Sequence, residues 1–279
     1  MEDIYMNLPE GKDIILNEIQ IRYFEWGTPG NPVIICLHSH SAHAGIWDKF
    51  GPAMSDKFHV YALDQRGHGD SQWAESGYDR DRFVEDLEAF IIAKNISKCI
   101  LVGSSMGGWN SLLYSVNNPE KVEKIVLVDI GVEPSGIVVQ RPPRPLEFDT
   151  FDIAFQTIRS ENPWPPGDRL RSDLQRKLIQ DNNDGPFRWK TDPILITTPL
   201  IDMQSPELIE RYWKALRSIQ FPILEVRGAE SVTVSDDVLE RMKEACPNLE
   251  SVDVPGSGHV VSLDKPEEFN AIIQNWIKK

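Results

Sequence analysis

Cysteine is scarce in this chain, which has three in 279 residues: Cys36, Cys99 and Cys246. An odd number cannot all pair, and Cys36 and Cys99 lie within apolar runs, where each would serve as a small buried side chain. This usage is typical of a reducing compartment, and the acidic N-terminus at residues 1–4 lacks the apolar region of a secretory signal. We therefore expect a cytoplasmic protein.

Long apolar runs and positive charge are also missing. No run approaches the 18 apolar residues of a transmembrane helix, and the formal net charge is −14 without a basic patch. These absences argue against a membrane span and against binding to nucleic acid. Hydrophobic content of 41% and charged content of 26% are ordinary for a globular protein. A chain of this length can fold as one α/β domain with an insertion or as two small domains.

A turn centred on Ser105 carries the main chemical signal. The apolar run 98–102 predicts a buried strand and residues 109–114 begin a helix, so the pattern G-x-S-x-G lies between them. Glycine is needed on both sides of the serine because a Cβ there would strike the neighbouring backbone. The pattern predicts a nucleophile elbow with the N–H of Met106 as an oxyanion donor. A glycine-rich loop without chemistry is the alternative.

A second loop, rich in histidine, follows the apolar run 33–37, which predicts a strand covered on both faces. His38, His40 and His43 have the H-x-H-x-x-H spacing of metallo-β-lactamase-type hydrolases, in which such loops bind zinc. Ala42 stands where that motif has aspartate. The interpretation that we prefer is that the backbone N–H of His40 supplies the second oxyanion donor.

The loop at residues 64–71 reads D-Q-R-G-H-G-D-S and follows another predicted strand. Together with the histidine loop before it and the G-x-S-x-G turn after it, this loop resembles the α/β-hydrolase family. The resemblance covers about residues 10–131 and 221–279. It implies a doubly wound, mostly parallel sheet, and it makes His68 part of a structural turn instead of a catalytic base.

Proline marks the segment 132–220 as different from the rest. Eleven of the 20 prolines lie between Pro142 and Pro222, which suits neither strand-helix alternation nor a flexible linker. We interpret this segment as a helical cap inserted into a core formed by residues 1–131 and 221–279. Its predicted helices are 151–161, 169–180 and 205–219, the last of which returns to the core.

Aromatic residues near the nucleophile suggest what the pocket would bind. Trp109 follows the elbow, and Trp164 and Trp189 lie in the predicted cap. Such side chains over a nucleophile suit an apolar small-molecule substrate, although they can equally form the interior of a cap.

A serine hydroxyl is a poor nucleophile until a base takes its proton. Members of the resembled family carry that base after the last strand, and His259 occupies this place before the C-terminal helix. Most relatives place the triad acid three or four residues after the glycine that closes strand seven. Here those positions are Ser231 and Val232, which cannot serve.

Two other carboxylates are candidates for the acid. Glu230 lies two residues after Gly228, and Asp129 ends the sixth predicted strand. The latter position carries the acid in haloalkane and fluoroacetate dehalogenases and some small esterases of the resembled family, at the sheet edge where doubly wound folds form sites. We assign the role to Asp129, with Glu230 as the alternative. Dehalogenation is not expected, because those enzymes have aspartate where this chain has Ser105.

The resemblance thus implies a serine hydrolase that cleaves a carboxylic ester, lactone or related acyl compound without a cofactor. Ser105 would attack, His259 would move the proton, Asp129 would hold the imidazolium, and the N–H groups of His40 and Met106 would bind the oxyanion. The alternatives are a carbon–carbon bond hydrolase or lyase, a small-molecule receptor with the same triad, and a zinc hydrolase that uses the histidine cluster.

Overall fold

The computed structural model describes residues 9–75, 77–137, 143–180, 182, 184–197 and 205–279. The strands are β1 (Lys12–Leu16), β2 (Ile19–Trp26), β3 (Val33–Leu37), β4 (His59–Leu63), β5 (Cys99–Ser104), β6 (Val122–Val128), β7 (Glu147–Phe148), β8 (Leu178–Gln180), β9 (Phe187–Trp189), β10 (Ile223–Gly228) and β11 (Leu249–Val254). The α-helices are α1 (Phe50–Met54), α2 (Arg80–Ala93), α3 (Met106–Asn117), α4 (Phe151–Glu161), α5 (Gly167–Lys177), α6 (Pro193–Thr197), α7 (Pro206–Ser218), α8 (Asp236–Ala245), α9 (Val261–Asp264) and α10 (Pro266–Ile277).

Eight strands form the main sheet in the order β1-β2-β4-β3-β5-β6-β10-β11. The first two pair as an antiparallel hairpin, and β2 also runs antiparallel to β4. All later pairs are parallel. Because β3 lies between β4 and β5, the winding reverses there, and Leu37 pairs with Gly103. The histidine loop and the elbow therefore leave the sheet side by side, at the point where doubly wound folds open a crevice for ligands.

Side chains on each central strand alternate between two hydrophobic clusters, one on each face of the sheet. Ile35 and Leu37 pack with α2, α3, α7 and α8, whereas Ile34 and Cys36 pack with α1 and α10. All three cysteines are free and buried. Continuous burial on both faces explains why β3, β5 and β6 are apolar runs instead of alternating patterns.

Helix α3 is buried on all sides from Met106 to Ser115, whereas α2 buries one face. Helix α2 has 14 residues and begins after Asp79, whose side chain accepts the N–H of Arg82. Its buried face includes Phe83, Leu87 and Phe90. Within the ranges that the structure describes, no helix has the length and apolar character needed to cross a membrane.

The cap has its own small interior, built around Phe148, Leu174 and Trp189. Contrary to the purely helical prediction, it contains a three-stranded antiparallel sheet in the order β7-β9-β8. The predicted helix 169–180 is therefore wrong at its C-terminal end. The backbone turns extended at Leu178, which pairs with Trp189, so that tertiary pairing overrides local helical preference there.

The end of the predicted cap range belongs to the core. Helix α7 lies within residues 132–220, yet Leu208, Tyr212 and Leu216 are buried in the same cluster as α2 and α3. This agrees with the expectation that the last helix of the segment returns to the core. The described cap elements are thus β7 to α6.

Candidate active site

Ser105 occupies the turn between β5 and α3 with φ 48° and ψ −112°. A positive φ at a non-glycine residue costs about 1–3 kcal/mol and persists only where neighbouring contacts enforce it. Here the Ser105 N–H donates to Val128 O at 3.0 Å, and its carbonyl accepts the N–H of Gly108 at 2.8 Å. A Cβ on Gly103 or Gly107 would overlap neighbouring backbone. The turn therefore has the geometry of a nucleophile elbow.

Two backbone N–H groups are available beside the elbow. Within the described part of the chain, those of Met106 and His40 have no hydrogen-bond partner. The His40 loop is held in place by His38, whose carbonyl accepts the Gln65 amide at 2.8 Å and whose Nε2 accepts the Gln65 backbone N–H at 2.9 Å. Ser41 has φ 55°, so the chain turns sharply just after His40. The histidine loop and the elbow thus each present one backbone N–H group without a partner among the described residues.

The three imidazoles of the histidine loop do not converge on one point. His40 Nε2 lies 2.7 Å from Leu195 O, and His43 Nε2 lies 3.1 Å from Asp173 Oδ1. Both ring nitrogens of His38 also bond to backbone atoms. Among the described residues there is no group of three or more His, Cys, Asp or Glu that could hold a metal ion. The arrangement gives the zinc hypothesis no support.

Asp129 and His259 are 130 residues apart in the sequence and are in contact in the fold. His259 follows β11, and its Nδ1 lies 2.6 Å from Asp129 Oδ2. The carboxylate is fully buried, while about a third of the imidazole is exposed. An imidazole that donates from Nδ1 keeps Nε2 unprotonated, as a general base requires. The Thr233 hydroxyl lies 3.1 Å from the same Nδ1.

Contacts from β10 and the loop after it hold Asp129 in place. Its backbone has φ 52°, and its N–H donates to Val226 O at 3.0 Å. Oδ1 accepts the Gly228 N–H at 3.1 Å, and Oδ2 accepts the Ser231 hydroxyl at 2.5 Å. Ser231, in the loop after β10, thus donates to the carboxylate that directly follows β6. The spacing of Ser231 after Gly228 pointed to this loop, but nothing in the sequence indicated the hydrogen bond.

Glu230 does not take the place of the acid. The residue is exposed, and its backbone N–H donates to Ser257 O at 2.9 Å. Within the described residues its carboxylate makes no hydrogen bond to His259. The structure thus gives the alternative assignment of the acid to Glu230 no support.

A further buried carboxyl, which the sequence argument also missed, lies behind Asp129. Glu225 projects from the middle of β10, and its Oε1 accepts the N–H of Ile130 at 3.0 Å. Burial, and then the nearby charge of Asp129, raise the pKa of Glu225 well above its usual value. This shift favours the neutral form of Glu225.

Two of the three predicted pocket tryptophans are interior residues. Trp109 is 4% exposed, stacks on Tyr212 with centroids 5.7 Å apart, and donates from Nε1 to Gly131 O. Trp189 is also 4% exposed and packs edge-on against Phe148 in the cap interior. Both rings are used in packing, which favours the alternative that these tryptophans form the protein interior.

Trp164 lies next to the loop of the base. A Cβ on Gly258 would overlap the Trp164 ring, so this cap residue packs directly on the backbone that precedes His259. The Gly258 N–H donates to Asp264 Oδ2 at 2.8 Å, and burial raises the pKa of Asp264 to about 6. The cap and α9 thus both contact the short segment that carries the imidazole.

A family profile described as "alpha/beta hydrolase fold" matches residues 32–266. The chain belongs to the alpha/beta hydrolase family. The resemblance seen in the sequence is thereby confirmed, as is the predicted fold with its mostly parallel sheet.

Several proteins are similar to this alpha/beta hydrolase over most of its length. The 3-hydroxybutyrate-oligomer hydrolase of Cupriavidus necator is 27% identical over 266 residues, or 90% of both chains. The 2-(acetamidomethylene)succinate hydrolase of Mesorhizobium japonicum is 27% identical over 251 residues, or 88% of both chains. The crystal structure titled E-2-(acetamidomethylene)succinate hydrolase has a TM-score of 0.82 at 24% identity and covers 97% of this chain and 99% of its own. Relatives with esterase or lipase names support a hydrolase of this general kind.

Proposed function

We propose that this alpha/beta hydrolase is a serine hydrolase that cleaves a carboxylic ester, lactone or related acyl compound through an acyl-enzyme. The observation that carries the proposal is the 2.6 Å contact between His259 Nδ1 and the buried Asp129 carboxylate. Such a contact orients an imidazole to serve as general base for a nearby nucleophile. Ser105, in its strained elbow, is the nucleophile that we assign.

The proposed reaction proceeds in two halves. Ser105 Oγ attacks the acyl carbon while its proton passes to His259 Nε2, and Asp129 stabilises the resulting imidazolium. The backbone N–H groups of Met106 and His40 bind the negative oxygen of the tetrahedral intermediate. His259 then gives its proton to the leaving alcohol, and water repeats the sequence on the acyl-enzyme to release the acid and free Ser105. No step needs a cofactor.

The comparisons support the reaction class without naming the substrate. Relatives bear the names 3-hydroxybutyrate-oligomer hydrolase, putative esterase/lipase and sn-1-specific diacylglycerol lipase. Their shared chemistry is hydrolysis, which favours a hydrolase over a receptor. The free, buried cysteines suit the cytoplasmic location that we also propose.

Labelling with a fluorophosphonate tests the nucleophile. We expect stoichiometric modification of the peptide that contains Ser105, and Ser105→Ala should abolish it and reduce kcat by about 10⁴- to 10⁶-fold with little change in Tm. Ser104→Ala is the matched control, because this neighbouring hydroxyl is buried without a partner in the described part of the chain. Labelling of a different peptide would reject the proposal. So would loss of activity with EDTA that zinc restores.

A further inference from the structure

Arg80 is a buried cation without an acidic partner in the part of the chain that the structure describes. It is the first residue of α2 and is only 6% exposed. With the described residues it forms one hydrogen bond, from Nη1 to Asn110 Oδ1 at 3.2 Å, and its buried Nε has no partner among them. No carboxylate within the described residues forms an ion pair with it. Removing a guanidinium from water is unfavourable unless an anion or several acceptors replace the lost hydration.

Arg66 shows how this chain compensates such a charge elsewhere. It is 3% exposed, and its Nε and Nη2 bond to the Asp86 carboxylate at 2.6 and 2.8 Å. A third bond joins Nη1 to Gly77 O at 2.6 Å. On Arg80, the same two nitrogens, Nε and Nη2, have no partner in the described part of the chain. The contrast is informative because the protein has 43 acidic residues and a net charge of −14.

Aromatic faces compensate the Arg80 charge only in part. The guanidinium carbon lies 5.9 Å from the Phe83 ring centroid and 5.6 Å from that of Trp109. Cation–π contacts of this kind are weaker than a charge-assisted pair with a carboxylate. They leave Nε and Nη2 of Arg80 without an acceptor among the described residues. Arg80 could therefore bind an anion that this part of the chain does not provide.

The contacts of Arg80 connect this charge to the helix that begins directly after Ser105. Its contacts Trp109 and Asn110 lie four and five residues after Ser105 on the same helix, or about 6–8 Å along the axis. Asn110 Nδ2 donates to Gln65 Oε1 at 2.7 Å, and Gln65 in turn bonds to His38 in the histidine loop, which contains His40. The guanidinium is thus connected by hydrogen bonds to that loop.

The electrostatics of His40 agree with this placement. Burial is the main cause that lowers the pKa of His40 to about 4, opposed by its bond to Leu195 O, and the charges of Arg80 and Arg144 lower it further. Arg144 already pairs with Glu161 at 2.5 Å. Of these two cations near the histidine loop, Arg80 is therefore the one without a carboxylate partner among the described residues.

We propose that the natural substrate has an acyl chain that ends in a carboxylate and that Arg80 binds this carboxylate. The inference rests on the proposed serine hydrolase function and replaces the expected apolar substrate with an anionic one. The acyl carbon would lie at Ser105 and the chain would extend towards the second turn of α3. Arg80 is then a binding residue that determines specificity.

The test compares two matched series of p-nitrophenyl esters. One series has straight acyl chains of six, eight and ten carbons that end in a carboxylate, and the other has the same lengths ending in a methyl group. We expect kcat/KM of the wild type to favour the carboxylate-terminated ester by about tenfold or more at one length at least. In Arg80→Met this ratio should fall by about 100-fold, as expected when a charged hydrogen-bonded partner is removed.

Two variants guard against a merely structural effect. Arg82→Met removes the same charge two residues along the helix, where the side chain is exposed, and it should leave the ratio unchanged. Arg80→Lys keeps the charge and should retain part of the preference. Melting curves of Arg80→Met should show no loss of Tm, because an uncompensated buried charge is removed. A wild type that prefers the methyl-terminated esters at every length, or an Arg80→Met ratio equal to that of the wild type, would overturn the proposal.

Binding of octanedioate to Ser105→Ala, measured by calorimetry, separates this proposal from the proposed function. If no ester is hydrolysed but octanedioate binds and Arg80→Met in the same background abolishes binding, the hydrolase proposal fails and the anion site stands. If methyl-terminated esters are hydrolysed through Ser105 and octanedioate does not bind, the hydrolase proposal stands and the anion site is rejected.

Discussion

Two aspartate–histidine sets lie at the carboxyl edge of the same parallel sheet, and they are built for different purposes. In the first, after β4, Asp64 accepts the backbone N–H of Ala44 at 2.6 Å and that of Asp70 at 2.9 Å. His68 bonds through Nδ1 to Arg66 O at 2.9 Å, and both residues are almost inaccessible. Both oxygens of the Asp64 carboxylate accept backbone N–H groups, so this set stabilises the conformation of the loop at residues 64–71.

In the second set, Asp129 gives only one oxygen to the backbone. The other oxygen accepts a hydroxyl and the imidazole of His259, about a third of which is exposed. Burial lowers the pKa of His68 to about 3, so that this ring cannot carry a proton near neutral pH. Residue type alone therefore does not distinguish the histidine that we propose as the base, His259, from the structural His68. The group bonded to Nδ1 and the exposed fraction of the ring do distinguish them.

Replacing Asp129 and Asp64 by asparagine should give the largest difference in kcat between the two sets. In Asp129→Asn the amide can donate to His259 Nδ1, which favours the wrong tautomer, so kcat should fall by about 10⁴-fold. The fold should survive, because asparagine tolerates the positive φ at this position. Steady-state kinetics and a thermal melt provide both measurements.

Asp64→Asn is the matched control. It removes one of two acceptors for buried N–H groups, which should reduce the free energy of unfolding by about 1–3 kcal/mol. The kcat of the folded fraction should stay within about tenfold. If Asp64→Asn abolished turnover in a folded protein while Asp129→Asn did not, the assignment of the two roles would be reversed.

Lowering the pH should reveal the structural role of His68 as a loss in the free energy of unfolding. Its pKa in the folded protein, about 3, lies below the unfolded value near 6.5, so the unfolded chain binds the extra proton as pH falls. The free energy of unfolding that neutral, buried His68 contributes is fully present above pH 6.5 and is lost on acidification. The loss should be about 2 kcal/mol between pH 7 and pH 5. Asn in place of His68 can still donate to Arg66 O, and it should remove that part of the pH dependence.

Urea unfolding at the two pH values measures this effect. His38 and His40, whose pKa values are also lowered by burial, add their own pH dependence in both proteins. The informative quantity is therefore the difference between wild type and His68→Asn. Equal slopes in the two proteins would show that His68 is not buried in its neutral form.

The hydroxyl beside Asp129 should have the smallest effect. Ser231→Ala removes one hydrogen bond to a carboxylate that keeps its contacts to Gly228 and His259, so kcat should fall by about tenfold. Glu230→Gln is the neighbouring control and should leave kcat within about twofold. A larger loss in Glu230→Gln than in Ser231→Ala would contradict the hydrogen bonds seen around Asp129.

How much of the site could be predicted depends on how local each feature is in the sequence. The elbow could be predicted because strand, turn and helix are consecutive and the glycines are required within a few residues of Ser105. The choice between Asp129 and Glu230 depended on which carboxylate meets His259 across the fold, and local spacing contains little of that information. Likewise, an aromatic residue in the sequence does not reveal whether its ring lines a pocket, as Trp109 and Trp189 show.

Features that arise from pairing across the fold escaped the sequence argument altogether. The short cap sheet forms because β8 and β9 meet, although Leu178 follows directly on a helix. Glu225 was overlooked because a glutamate in an apolar run gives no sign of its protonation state, and Arg80 because an ion pair that is missing can be seen only in three dimensions.

The positive φ angles of Ser105 and Asp129 have a consequence for how this protein can change over time. Glycine would adopt either backbone conformation more easily than the residues present, and asparagine would suit Asp129. Selection or engineering for heat resistance alone would therefore favour replacement at the two positions that we assign as nucleophile and acid. A library screened only for survival on heating should accumulate inactive proteins with changes at these sites, whereas a screen that also demands turnover should find its gains elsewhere in the chain.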